Sequence, residues 1–234
     1  MEKTIKFNGL YVITPAVDSG NFSTREGTQK GAHDTDQAGD QVESHRLNLL
    51  HDVEFAIVGG ARIVQYRDKS QNSAMRLAQA KEMLELCKRY GVLLIINDDV
   101  ELAAAINAHG VHLGGEDASL QTARKRLGSH AIIGASCYNR LELAIHAQEQ
   151  AADYVAFGRF FPSSTKPNAV QADVELLRLA KRQLSIPIVA IGGITAQNGA
   201  QLVSAGADML AVVEAVFAQD DIISAARQFA QCFS

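Results

Sequence analysis

Val92-Leu93-Leu94-Ile95-Ile96-Asn97-Asp98-Asp99 is an apolar run that leads directly into an amide and two carboxylates. A short, fully apolar run bounded by polar residues reads as a strand buried on both faces. The same order, apolar strand and then reactive side chains, recurs along the chain. Arg62-Ile63-Val64-Gln65 leads into Tyr66-Arg67-Asp68-Lys69, and Gly110-Val111-His112 into Glu116-Asp117. Ala131-Ile132-Ile133-Gly134 precedes Ser136, and Tyr154-Val155-Ala156-Phe157 precedes Ser163-Ser164-Thr165-Lys166. Ile188-Val189-Ala190-Ile191 precedes Gly192-Gly193. Leu10-Tyr11-Val12-Ile13 and Met209-Leu210-Ala211-Val212-Val213 bring the strand-like runs to eight.

Between these runs lie stretches with apolar residues at helical spacing, such as Met75, Leu77, Ala78, Met83, Leu84, Leu86 and Cys87. Another holds Leu141, Leu143, Ala144, Ile145 and Ala147, and a last helix is expected over about Asp221 to Phe229. The alternation predicts an α/β fold, a single (β/α)₈ TIM barrel spanning the 234 residues, with an open doubly wound sheet as the alternative. In a barrel, the residues that follow the strands meet on one face. Glycines in Val58-Gly59-Gly60-Ala61, Ala108-His109-Gly110 and Ala205-Gly206-Ala207-Asp208 are expected to stop the preceding helices and hint at a repeated unit. One segment, from about Asp18 to His45, is polar and nearly free of large apolar residues. It reads as a mobile insertion after the first strand, either a lid or a tolerated disordered loop.

A net charge of −4 argues against nucleic-acid binding, while leaving room for a local basic pocket. Cys87, Cys137 and Cys232 form no CxxC pair, so a reduced, cytoplasmic protein is expected. No apolar run has the length of a membrane helix, and Met1-Glu2-Lys3-Thr4 opens no signal peptide. Oligomeric state stays open, a homo-oligomer included.

In extended backbone Gln65, Arg67 and Lys69 share a face and point together into a barrel mouth, where Arg offers a fork and Lys a mobile charge to phosphate oxygens. Solvated charges with an Arg67/Asp68 surface pair fit the same spacing. Neighbouring strands lie about 4.8 Å apart, so carboxylates leaving two of them can share one Mg²⁺. Asp98 and Asp117 suit that role, and capping of the helices near Val100 and Leu120 competes with it; for Asp99 and Glu116 capping or exposure is the better fit. His109 and His112 lack a third zinc ligand, and His112 reads as a satisfied core residue. Ser136 has no neighbouring base and suits an anion contact, and Cys137 a buried filler. Prolines bracket Ser163-Ser164-Thr165-Lys166, making a preformed polar loop. Glycines at Gly192-Gly193 let backbone N–H groups approach a phosphate, or form a plain tight turn.

Taken in order, Gln65 to Lys69, Asn97-Asp98, Gly110 to Asp117, Ser163 to Lys166 and Ala190 to Ile194 resemble the motifs of the thiamine phosphate synthase family. The resemblance runs from the first strand to the last, leaving out the insertion. It implies a transferase joining a pyrimidine diphosphate and a thiazole phosphate into thiamine phosphate, with release of pyrophosphate. It further implies that the pyrimidine diphosphate lies against Gln65, Tyr66, Arg67, Asp68, Lys69, Asn97, Ser136 and Lys166. Arg67, Lys69, Ser136 and Lys166 would assist catalysis, and Asp98 and Asp117 would hold Mg²⁺. The thiazole phosphate would meet Ser163, Ser164, Thr165, Gly193 and the backbone at Val213-Glu214. Three positions depart from the family pattern: Gly115 for Gln, Ser163 for Thr and Glu214 for Ser. Rival implications are a thiazole tautomerase on the same scaffold and a non-catalytic protein that binds thiamine precursors.

Overall fold

A computed structural model describes residues 7–15, 37–115, 117–162 and 170–233, with side chains from residue 48 onward in the first helix. Eight parallel strands pair in sequence order, and the last closes on the first. They are β1 (Gly9–Ile13), β2 (Ala61–Tyr66), β3 (Leu93–Asn97), β4 (Gly110–Leu113), β5 (Ile132–Tyr138), β6 (Tyr154–Phe157), β7 (Ile188–Ile191) and β8 (Met209–Val212). Closure runs through Gly9 against Met209 and Val12 against Val212. The fold is a (β/α)₈ TIM barrel, as the alternation of patterns predicts, and not an open sheet.

Helices α1 (Gln37–Val58), α2 (Ser73–Tyr90), α3 (Val100–Ile106), α4 (Leu120–Leu127), α5 (Leu141–Glu149), α6 (Val174–Gln183) and α7 (Ala196–Ser204) connect successive strands. A short α8 (Glu214–Phe217) and α9 (Ile222–Ala230) follow β8. The polar segment expected as an insertion to His45 ends sooner, because α1 begins at Gln37; residues 18–36 lie outside the described residues. No helix among the described residues is long and apolar enough to cross a membrane.

Strand parity divides the core in two. Tyr11, Ile13, Ile63, Ile95, Ile132, Tyr154, Ala156, Val189, Met209 and Ala211 fill the barrel interior. Their neighbours in sequence, Val12, Val64, Leu94, Ile96, Val155 and Leu210 among them, pack outward against the helices. Alternate side chains of a strand point to opposite faces, so each strand feeds both layers.

The lower ends of the strands carry a repeated clamp. Immediately before β4, His109 Nδ1 accepts the Leu94 N–H of β3 at 3.0 Å. Before β6, Asp153 Oδ2 accepts the Ile133 N–H of β5 at 2.7 Å, and before β8, Asp208 Oδ2 accepts the Ile188 N–H of β7 at 2.9 Å. Arg124 and Lys181 in turn hold the two carboxylates. The clamps precede β4, β6 and β8 and coincide with two of the three glycine segments, those before β4 and β8; at the former the conformational reason differs from a glycine stop. Helix α3 is stopped by Asn107 in the left-handed conformation (φ 55°), not by Gly110. Gly110 is needed for space: a Cβ there would lie 2.0 Å from the Ile132 carbonyl oxygen.

Gly110→Ala is therefore expected to destabilise the fold by about 3 kcal/mol, because the clash is with backbone and cannot relax by a rotamer change. Urea unfolding measures it, and a loss below about 0.5 kcal/mol would remove the steric account.

Candidate active site

Polar side chains gather at the upper, C-terminal ends of β2 to β5. Asp98 follows β3 in a left-handed conformation (φ 62°), with its N–H bonded to the His112 carbonyl of β4 at 2.8 Å. A non-glycine residue rarely adopts that conformation, and here it turns the carboxylate inward over the barrel. Lys69 Nζ donates to Asp98 Oδ2 at 2.5 Å, and Asn97 Nδ2 donates to the same oxygen at 2.6 Å. From the next loop Asp117 reaches hydrogen-bonding contact with Asp98, its own Oδ2 accepting the Gly114 N–H at 2.5 Å.

Two carboxyl groups in contact cannot both ionise cheaply. For Asp98, burial pushes the pKa up, but the Lys69 ammonium, the bond to Asp117 and the nearby His112 outweigh it and hold the group below the ordinary value. Asp117 moves the other way, raised by burial and by the bond and charge of Asp98. Of the two, Asp117 is the one that holds a proton to higher pH. Asp99 instead caps α3, accepting the Leu102 N–H at 2.8 Å, and pairs with Arg76. Ser119 caps α4. The capping alternative thus applies to Asp99 and Ser119, and leaves Asp98 and Asp117 facing each other.

Such a donor set fits a small hard cation. Two carboxylates offer the oxygens that Mg²⁺ takes from protein, with waters and substrate phosphate filling the remaining positions. Among the described residues no group of three or more His, Cys, Asp or Glu forms a larger cage. A cavity of about 580 Å³ opens beside Asp98, with Asp68, Lys69, Asn97, Arg76, Glu101 and Arg126 also in its lining.

Gln65 points into the barrel, and Arg67 lies past the end of β2, where Thr14 binds its backbone (Thr14 Oγ1 to Arg67 N, 2.8 Å). Tyr66 does not join them. Parity sends its ring outward, 2 % exposed beneath α2, where its hydroxyl donates to Gln79 Oε1 at 2.8 Å. A side-chain contact from Tyr66 to a ligand in the mouth is ruled out by that burial. Asp68 lies nearer the mouth; its Oδ1 accepts the Ser70 N–H and its Oδ2 lies 3.1 Å from the Tyr66 hydroxyl. Ser136 is inside β5 rather than after it, because the strand continues through a bulge to Tyr138. Its Oγ lies 2.9 Å from His112 Nε2.

His112 is buried, with Nδ1 3.0 Å from the Tyr154 hydroxyl. Burial pulls its pKa down to about 4, only partly offset by the Asp98 charge, so the ring is neutral near pH 7. It is a satisfied core histidine, as its strand position suggests. Cys137 is also buried, its thiol pushed up to about 12 by desolvation, which makes it packing and not a nucleophile.

On the far side of the mouth, Gly192 and Gly193 take positive φ after β7. A Cβ on Gly193 would lie 2.3 Å from the Pro162 carbonyl oxygen, so close approach of the loop after β6 already demands glycine. Val213 and the exposed Glu214 open α8. Ser163, Ser164, Thr165 and Lys166 lie outside the described residues, as does Glu116. Sequence reasoning missed Tyr138, whose hydroxyl accepts the Gly115 N–H at 3.3 Å. It stands 3.4 Å from where a Gly115 Cβ would be, on the side a longer residue at 115 would enter. A tyrosine ending an inward-facing strand beside a glycine loop was the available signal.

A closed barrel with a carboxylate pair, a lysine and amides at its upper mouth defines a barrel enzyme whose polar chemistry is concentrated above β2 to β5. A sequence profile described as thiamine monophosphate synthase matches residues 39–216. The thiamine-phosphate synthase of Thiobacillus denitrificans is 54 % identical over 186 residues, covering 80 % of this chain and 88 % of the relative. That of Thioalkalivibrio sulfidiphilus is 52 % identical over 228 residues, covering 97 % and 96 %. Thiamine phosphate pyrophosphorylase from Pyrococcus furiosus superposes with a TM-score of 0.76 at 29 % identity, covering 97 % of this chain and 96 % of that one. The chain belongs to the thiamine monophosphate synthase family, and with it to the transferases.

The raised pKa of Asp117 has a measurable consequence. It keeps the group protonated to higher pH than an ordinary carboxyl group, and a divalent cation needs both carboxylates bare. Mn²⁺ binding to the substrate-free protein is expected to weaken as pH falls through that raised pKa and to release protons there. Calorimetry in buffers of different ionisation enthalpy checks this, and a pH-independent affinity would contradict it.

Proposed function

We propose that this enzyme couples 4-amino-2-methyl-5-hydroxymethylpyrimidine diphosphate to 4-methyl-5-(2-phosphooxyethyl)thiazole, giving thiamine phosphate and pyrophosphate. The observation that carries the reading is the meeting of Asp98 with both Asp117 and Lys69 at the barrel mouth. Family membership supplies the reaction class, and the side chains supply a use for each charge.

Breaking the methylene–diphosphate bond leaves a carbocation on the pyrimidine and several negative charges on the departing pyrophosphate. Bound between Asp98 and Asp117, Mg²⁺ would supply charge neutralisation to that leaving group. Lys69, half-exposed on a flexible stem, transfers its contact from Asp98 to the diphosphate when the carboxylates are otherwise engaged. Arg67 and Lys166 add fixed positive charge, and Ser136 a hydroxyl. The thiazole nitrogen then attacks the cation, its approach fixed by the phosphate anchored at Ser163 to Thr165, Gly193 and the backbone of Val213-Glu214. No protein nucleophile is needed, which agrees with the inert Cys137 thiol. Free cysteines throughout support a cytoplasmic setting.

Purified protein is expected to release pyrophosphate only with both substrates and Mg²⁺ present; no product with both would favour the tautomerase or binding-protein readings. Asp98→Ala and Lys166→Ala are each expected to lower turnover by at least about tenfold, approaching about a hundredfold where a full charge of about 3 kcal/mol is lost. Near-wild-type rates in both, with an unchanged circular dichroism spectrum, would remove these roles.

A further inference from the structure

Five buried or half-buried side chains form a continuous chain of hydrogen bonds across the barrel interior. Gln65 Nε2 donates to the Tyr11 hydroxyl at 2.7 Å. Tyr11 and Tyr154 hydroxyls lie 2.9 Å apart, Tyr154 OH lies 3.0 Å from His112 Nδ1, and His112 Nε2 lies 2.9 Å from Ser136 Oγ. Stacking of the His112 ring on Tyr154, centroids 5.5 Å apart, holds the middle of the chain in place.

With Gln65 Nε2 as the donor to Tyr11 and both phenol protons used within the chain, donor and acceptor counting gives it one direction. A phenol has one proton. Tyr11 accepts from Gln65, so it spends its proton on Tyr154. Tyr154, accepting from Tyr11, gives its own to His112 Nδ1. That nitrogen must then be bare, which leaves the imidazole proton on Nε2, donated to Ser136. Ser136 Oγ is thereby an acceptor toward the interior, and its hydroxyl proton is left for the mouth.

We propose that Tyr11, Tyr154 and His112 are positioning residues, a one-way relay that turns the Ser136 hydroxyl outward as a donor to an anionic substrate oxygen. The opposite direction would turn a lone pair toward that anion. A donor aimed at developing negative charge forms a strong, charge-assisted bond, whereas a lone pair there would repel it. None of the three relay residues needs to touch the substrate. The inference deepens the reading of the site given above and rests on it for the identity of the anion.

The direction is read in the substrate-free protein, so it is independent of activity. Two-bond ¹H–¹⁵N spectra of ¹⁵N-histidine-labelled protein, with His112 identified as the resonance lost in His112→Asn, should show a proton on Nε2 and a bare Nδ1. The opposite tautomer would overturn the relay. Tyr154→Phe, which keeps the ring, should shift His112 toward mixed tautomers and lower kcat about tenfold while leaving the KM for the thiazole phosphate unchanged. In a Ser136→Ala background the same change should cost nothing further. An equal loss in both backgrounds would mean a merely structural role and would also overturn the proposal. If wild-type protein makes no thiamine phosphate while the Nε2–H tautomer is found, the functional reading fails and the direction of the chain stands.

Discussion

Closure of the parallel sheet imposes a two-residue alternation on every strand, and the site follows from it. In β2 the odd positions Ile63 and Gln65 face a narrow interior, while the even ones Val64 and Tyr66 pack under a helix. Gln65 and Tyr66 are adjacent in sequence and end on opposite sides of the wall. The interior offers little water, so any polar group sent there must find its partner among the other inward-facing residues. Tyr11, Gln65, His112, Tyr154 and Ser136 do so, and their bonds climb from the middle of the barrel to its upper rim. A buried polar network with every member engaged rigidifies the wall on which the reactive groups stand.

Above that rim the constraint changes from packing to charge. Asp98 is held inward by an unfavourable backbone conformation and by bonds from Asn97 and Lys69. Asp117 is brought to it by the adjacent loop, and neither strand end alone makes a site. Strain of this kind persists where surrounding contacts over-determine it. The bond from Asp98 N–H to the His112 carbonyl is one such contact, linking the carboxylate pair to the interior network through β4.

Much of this was legible in the sequence because strands in a buried parallel sheet are short apolar runs with abrupt polar ends. All eight runs correspond to observed strands, and the Asn97-Asp98 and Asp117 pairing follows from adjacency of β3 and β4. What escaped was decided by tertiary contact. Alternation from Gln65 already turns Tyr66 outward, but its bond to Gln79 beneath α2 is a tertiary contact. Gly110 could not be told from a helix stop without the Ile132 carbonyl beside it. Strand β5 extends past Gly134 to Tyr138 because pairing with β6 continues around a bulge, which no local propensity reports. The interior chain of hydrogen bonds joins residues as far apart as Tyr11 and Tyr154, beyond the reach of any motif.

Below the sheet, His109, Asp153 and Asp208 each bind the strand before their own, so the connections entering β4, β6 and β8 have no slack. The long polar stretch after β1 departs from the opposite end, away from these three seams. Such a scaffold can lengthen or shorten only upward. One residue added beneath would slide an imidazole or carboxylate off the amide it holds, while many can be added overhead at no cost to those seams.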